Sequence, residues 1–247
     1  MSTPTLPPFR TADDGAGDPA AVPLGVACGT WAGAWMAGQV VASAVAVASG
    51  KDTLSEAGAG WLLATAIAGW APLLYALWAL GKRFGIGSFA SDWGLSFRWS
   101  DLAGIPLGLL TQLALVPLLY WPLERAWPGT FNQDRVQERA KDMWSSTSGA
   151  GVVLLVLVVV VGAPLVEELV YRGLLQGAFV RRVNEVVAVV AVAAWFALIH
   201  FQWIEIPGLF VVGLVLGIGA LFTRRLGLSI VTHMAFNATG LVLVAFA

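Results

Sequence analysis

Polar side chains cut this chain into long apolar runs joined by short charged connections, and most runs have the length of a bilayer crossing. An α-helix needs roughly 20 apolar residues to traverse a hydrocarbon layer about 30 Å thick. Runs of that kind extend from Leu24 to Ser49, Gly58 to Leu80, Leu102 to Leu123, Gly149 to Tyr171, Val186 to Trp203, Ile206 to Phe222, and Leu226 to the C-terminus. The second is bounded by Lys51, Asp52 and Glu56 on one side and by Lys82 and Arg83 on the other. Seven spans follow, and with them an all-α, multi-pass transmembrane helix bundle.

Two stretches fall outside this pattern. Residues 1–23 hold five prolines, three aspartates and Arg10 without a basic segment leading into an apolar core, so they read as a disordered tail and not as a cleavable signal. The longest polar interval, 124–148, has Thr130 and Gln133 at capping-box spacing and places Val136, Ala140, Met143 and Trp144 on one face, which predicts an interfacial helix. The chain thus divides into the tail (1–23), an N-terminal transmembrane region with its interfacial helix (24–148), and a C-terminal transmembrane core (149–247).

Composition agrees: 58% of the 247 residues are hydrophobic and 12% charged, and the net charge of −1 gives no footprint for nucleic acid. The single cysteine, Cys28, cannot form an internal disulfide and reads as packing. Arginine outnumbers lysine eleven to three and Ala, Gly and Val abound, a bias that hints at a GC-rich coding sequence and so at a bacterial cell membrane. Lysine and arginine in the connections favour a cytoplasmic N-terminus, with Arg181, Arg182, Arg224 and Arg225 as topology determinants. Trp31, Trp61, Trp93, Trp99, Trp121, Trp127 and Trp203 lie near span ends, as interfacial anchors do, and Tyr171 reads as another.

Chemistry is to be sought where polar groups interrupt the spans, because a charge at the bilayer centre costs about 2.5–3.5 kcal/mol on insertion scales and needs a partner or water. Glu167 and Glu168 end the fourth apolar run. Arg172 stands at i+4 from Glu168, the spacing and order at which acid and base meet best on a helix, while Glu167 points about 100° away. Both histidines of the chain, His200 and His233, fall inside spans, and Asn237 shares a helical face with His233. A carboxylate, two imidazoles and an amide from three helices, closed around one cavity, suffice to activate a water and stabilise an oxyanion. Gly213 and Gly217 form a GxxxG pair suited to a close helix contact, and Pro164 predicts a kink or widening just before the glutamates.

EExxxR (Glu167, Glu168, Arg172), FxxxH (Phe196, His200) and HxxxN (His233, Asn237), in this order on successive spans, resemble the motifs of the CPBP family. That family comprises the CAAX prenyl endopeptidases and the bacteriocin-processing and immunity proteins, also called Abi; its eukaryotic CAAX enzymes have eight spans. The resemblance implies an intramembrane endopeptidase whose partners are the lipid bilayer and a peptide or protein substrate. In it Glu167 with His200 holds and deprotonates water, His233 and Asn237 donate to the oxyanion, Arg172 keeps Glu168 ionised, and Phe196 orients the imidazole. Glu167, His200 and His233 also have the type and number of ligands to hold Zn²⁺ with one position open. Each histidine comes from a different span and no HExxH is present, which favours a reaction that needs no cofactor. Two other classes use the same residues: a non-catalytic scaffold or binding protein, and a proton relay or transporter. The latter lacks paired broken helices or inverted repeats in the sequence.

Overall fold

A computed structural model describes residues 20–52 and 54–246, so the expected tail lies outside the described residues except for its last four. Those four are pinned: the Ala20 and Ala21 amides donate to the carbonyls of Asp92 and Phe84, and the Val22 side chain is buried. Among the described residues there are helices and no strand. In chain order the principal ones are α1 (Leu24–Ala48), α2 (Ala59–Phe84), α3 (Trp99–Ala126), α4 (Gln133–Ser145), α5 (Ala150–Phe179), α6 (Glu185–Leu198), α7 (Ile206–Thr223) and α8 (Gly227–Ala245). Six of them, α1, α2, α3, α5, α7 and α8, are long and apolar enough to cross a membrane.

The fifth expected span is the exception. α6 has 14 residues, about 21 Å at 1.5 Å per residue, and falls short of the hydrocarbon thickness. It stops because Phe201 adopts a left-handed conformation (φ 53°), which an α-helix does not continue. The Phe201 ring lies 6.1 Å from that of Trp35 on α1. The seven-span expectation thus becomes six full spans and one short helix among the described residues. α4 is the expected amphipathic helix, but its cap is Asn132, whose side chain accepts the Arg135 amide at 2.9 Å, and not Thr130. Asn is the stronger N-cap of the two.

α5 outruns its expected end at Tyr171 and continues to Phe179. Arg172 and Gln176, whose polarity makes the apolar run look finished, are buried inside the bundle and partly satisfied there, with Arg172 Nε and Gln176 Oε1 left without a partner. Their side chains donate to the carbonyls of Gly213 (3.1 Å) and Gly217 (2.9 Å) on α7. The GxxxG pair makes this approach close: a β-carbon at Gly217 would lie 2.9 Å from the Gln176 amide oxygen, and one at Gly213 would lie 3.0 Å from Cα of Ala193 on α6. The glycines therefore hold α5, α6 and α7 together. α5 also carries two π-helical stretches, Leu157–Gly162 and Leu169–Gln176, on either side of the glutamates.

A second pair of glycines seats α8 on α3. β-carbons at Gly104 and Gly108 would lie 2.7 and 2.8 Å from the Thr232 and Phe236 backbone nitrogens. A buried ion pair between Asp101 and Arg225 locks the start of α3 to the turn before α8, so Arg225 is a structural partner and not a free topology determinant. In the most apolar window of α7 39% of residues are buried, against 6% in α2, so α7 is interior and α2 turns its apolar surface outward. Trp31, Trp93 and Tyr171 are buried and do not act as interfacial anchors, whereas Trp99, Trp121, Trp127 and Trp203 are well exposed.

Candidate functional site

The site begins on α5, between its two π-helical stretches. Glu168 faces the interior and is fully buried; its Oε1 accepts Arg172 Nη1 at 2.9 Å along the same helix. Arg172 is buried as well, with its guanidinium carbon 4.8 Å from the Phe196 ring centroid. Two charges fully out of water are tolerated only when paired and hydrogen-bonded, and the third group here is His233 on α8. Its Nδ1 lies 2.9 Å from the same Glu168 oxygen, and its Nε2 lies 3.7 Å from Oε2 of Glu167. The adjacent glutamates thus diverge as the helical 100° step requires: Glu168 towards the ion pair, and Glu167, its side chain 26% exposed, towards open space.

His200 lies in the turn just after α6, two residues past its end, and its Nδ1 lies 2.6 Å from the carbonyl of Phe196. A carbonyl can only accept, so Nδ1 carries the proton and Nε2 is left as the ring's acceptor. Phe196 is nearly fully buried, and its ring meets both imidazoles edge-on, at 4.8 Å from His200 and 5.9 Å from His233. One aromatic side chain therefore spaces the two histidines. Downstream, the Tyr120 hydroxyl on α3 donates to the Ile204 carbonyl at 2.6 Å, anchoring the loop that leaves His200.

Asn237 sits one turn after His233 on α8 and donates Nδ2 to the Val159 carbonyl of α5 at 2.8 Å. The need for that bond lies in the π-helical stretch. Ala163 N–H reaches back to Val158, and the next residue, Pro164, has no N–H to offer Val159. The Asn237 amide fills the missing donor's place.

Glu167 and His200 line one cavity of about 280 Å³. The same cavity is walled by α1 and α2 through Trp31, Trp35, Gln39, Thr65 and Trp70. His233 and Asn237 do not line it; His233 is buried and meets Glu167 instead. The structure therefore brings Glu167 together with His200 and with His233, groups Glu168 and Arg172 behind them, and engages Asn237 with the α5 backbone. Among the described residues no three His, Cys, Asp or Glu side chains are gathered in a geometry that could hold a metal ion.

Sequence reasoning missed Gln176 and the α1–α2 wall. Gln176 was detectable, since it stands four residues after Arg172 just as Gly217 stands four after Gly213. Gln39 and Thr65 left a weaker trace as isolated polar side chains within apolar spans.

Comparison with known proteins agrees with the motifs. Residues 149–239 match the family model described as type II CAAX prenyl endopeptidase Rce1-like. No curated protein and no solved structure matches the chain.

Proposed function

From the match of residues 149–239 to the Rce1-like family model, we propose that this chain is an intramembrane endopeptidase in which Glu167 and His200 activate a water inside the bundle. The observation that carries the reading is that these two side chains, from α5 and the turn after α6, share one cavity. A water held between the Glu167 carboxylate and His200 Nε2 loses a proton to Glu167 as its oxygen attacks a peptide carbonyl carbon. The carbonyl oxygen becomes an oxyanion. His233 donates to it through Nε2, which requires protons on both ring nitrogens because Nδ1 is engaged with Glu168. Neither side chain lines the cavity of the free protein, so the substrate carbonyl must reach past its edge to meet His233 and Asn237; there Asn237 offers its second amide N–H, beyond the one on Val159, to the same oxygen. Collapse of the tetrahedral intermediate breaks the C–N bond, and Glu167 returns its proton to the departing amine. Glu168 and Arg172 touch no reacting atom; they orient His233. The excess of arginine over lysine, eleven to three, supports a bacterial membrane as the setting.

The test is cleavage of a fluorogenic, prenylated Cys-aliphatic-aliphatic-X peptide by the protein in proteoliposomes. Glu167→Gln and His200→Ala should each abolish turnover while the protein keeps its unfolding temperature. Cleavage by Glu167→Gln at the normal rate would end the assignment, and no cleavage by the unaltered protein under any condition would favour the scaffold.

A further inference from the structure

The family match begins at residue 149, yet more than half of the cavity wall comes from α1 and α2. That wall is aromatic, with Trp31, Trp35 and Trp70, and among its side chains only Gln39 and Thr65 add a group other than an indole that can hydrogen-bond. Thr65 is unusual within its own protein. Thr111, Thr223, Thr232 and Thr239 each donate their hydroxyl to the carbonyl four residues back, at 2.7–2.8 Å, the common way a helix satisfies a threonine out of water. The Thr65 hydroxyl oxygen is buried and has no partner, like the Trp31 indole nitrogen on the same wall, and a substrate engages the hydroxyl only once rotation about χ1 has turned it into the cavity. An orphan hydroxyl at a cavity wall destabilises the fold unless something else engages it.

A peptide entering this cavity brings the complementary problem. To present a scissile bond it must be extended, and its backbone N–H and C=O groups then have no helical partners in a low-dielectric interior. In the hydrolytic reading Glu167 and His200, on the α5 and α6 side of the cavity, are committed to the water. We propose that Thr65 on α2, with Gln39 on α1, is the peptide-positioning edge of the site: the Thr65 hydroxyl donates to a substrate backbone carbonyl next to the scissile bond, and the Gln39 amide takes another backbone group of the same peptide. The inference rests on the reading of Glu167 and His200 as the hydrolytic pair. Thr65 and Gln39 are positioning residues and exchange no proton in the reaction.

The experiment compares Thr65→Val, which keeps shape and loses the hydroxyl, with Thr65→Ser, which keeps the hydroxyl, using the prenylated peptide in proteoliposomes. Thr65→Val should lower kcat/KM roughly tenfold, mainly through KM, about the effect of one lost hydrogen bond, without lowering the unfolding temperature. Thr65→Ser should stay within about twofold of the unaltered protein on the same scale. Anisotropy of a labelled peptide gives a readout free of turnover: in a Glu167→Gln background, adding Thr65→Val should weaken binding by the same factor. Unchanged kcat/KM in Thr65→Val, or equal losses in the Val and Ser variants, overturns the proposal and leaves the hydrolytic reading intact. Cleavage by Glu167→Gln overturns the hydrolytic reading alone, since weaker binding on adding Thr65→Val still supports the positioning role. A protein that neither binds nor cleaves the peptide overturns both.

Discussion

His233 and Glu168 meet across the bundle at 2.9 Å, and this bond decides which imidazole nitrogen faces Glu167. A carboxylate paired with a guanidinium can only accept, so His233 gives it the Nδ1 proton and turns Nε2 towards the other glutamate. The relay runs from the Gly213 carbonyl on α7 through Arg172, Glu168 and His233 to Glu167 at the cavity. Each link fixes the orientation of the next, the way a buried acid orients a catalytic histidine in hydrolases. The two glutamates of one motif therefore have opposite duties, set by the helical step between them.

Breaking the relay at its buried end should cost stability before it costs chemistry. Arg172→Met leaves the Glu168 charge to His233 alone, and losing one partner of a buried pair destabilises by up to about 3–5 kcal/mol. Denaturant unfolding in detergent should show that loss, while Glu168→Gln combined with Arg172→Met should recover most of it. The double variant should remain inactive on the prenylated peptide, because an amide does not hold His233 as a carboxylate does. If the double variant is as unstable as Arg172→Met alone, the buried charge is not the cause.

Asn237 carries a structural duty and a proposed catalytic one, and the π-helical stretch of α5 allows them to be separated. Asn237→Ala leaves the Val159 carbonyl without a donor, at about 1–3 kcal/mol. Pro164→Ala supplies a backbone N–H one residue beyond Ala163, in register for Val159. The combination of Pro164→Ala with Asn237→Ala should regain much of the unfolding free energy lost by Asn237→Ala, yet cleave no faster. Recovery of turnover along with stability would show that Asn237 acts only as a cap and that the oxyanion is held elsewhere.

How far the sequence could lead is visible in these same residues. Glu168 with Arg172, and His233 with Asn237, were legible because helical periodicity places i and i+4 on one face whatever the tertiary structure. The divergence of Glu167 from Glu168 followed from the same geometry. The extent of α5 was not legible, since hydropathy treats Arg172 and Gln176 as the end of a span, and only the α7 carbonyls opposite them keep the helix inside the bundle. Nor was the length of α6: the turn at Phe201 involves neither glycine nor proline and leaves no local signal. The α1–α2 wall was invisible for a third reason. Nothing in the pattern of one apolar helix states which neighbour its few polar side chains will face.

Metal dependence turns on distances that periodicity cannot supply. His200 and His233 both keep Nε2 available, with Nδ1 held by the Phe196 carbonyl and by Glu168, and outer partners of this kind also orient histidines that ligate metals. Against this, the three donors are not gathered, and Glu167 stands 3.7 Å from His233 with Phe196 spacing the two imidazoles. The expected outcome is that exhaustive dialysis against a strong chelator leaves cleavage of the prenylated peptide within about twofold, whereas removal of a catalytic zinc would forfeit several kcal/mol of transition-state stabilisation. Elemental analysis of the dialysed protein must accompany the assay, so that persistence of activity is tied to the absence of metal. Activity lost on chelation and restored by zinc at one equivalent would reassign Glu167 from base to ligand. It would also require α6 and α8 to close further around it than they do in this arrangement.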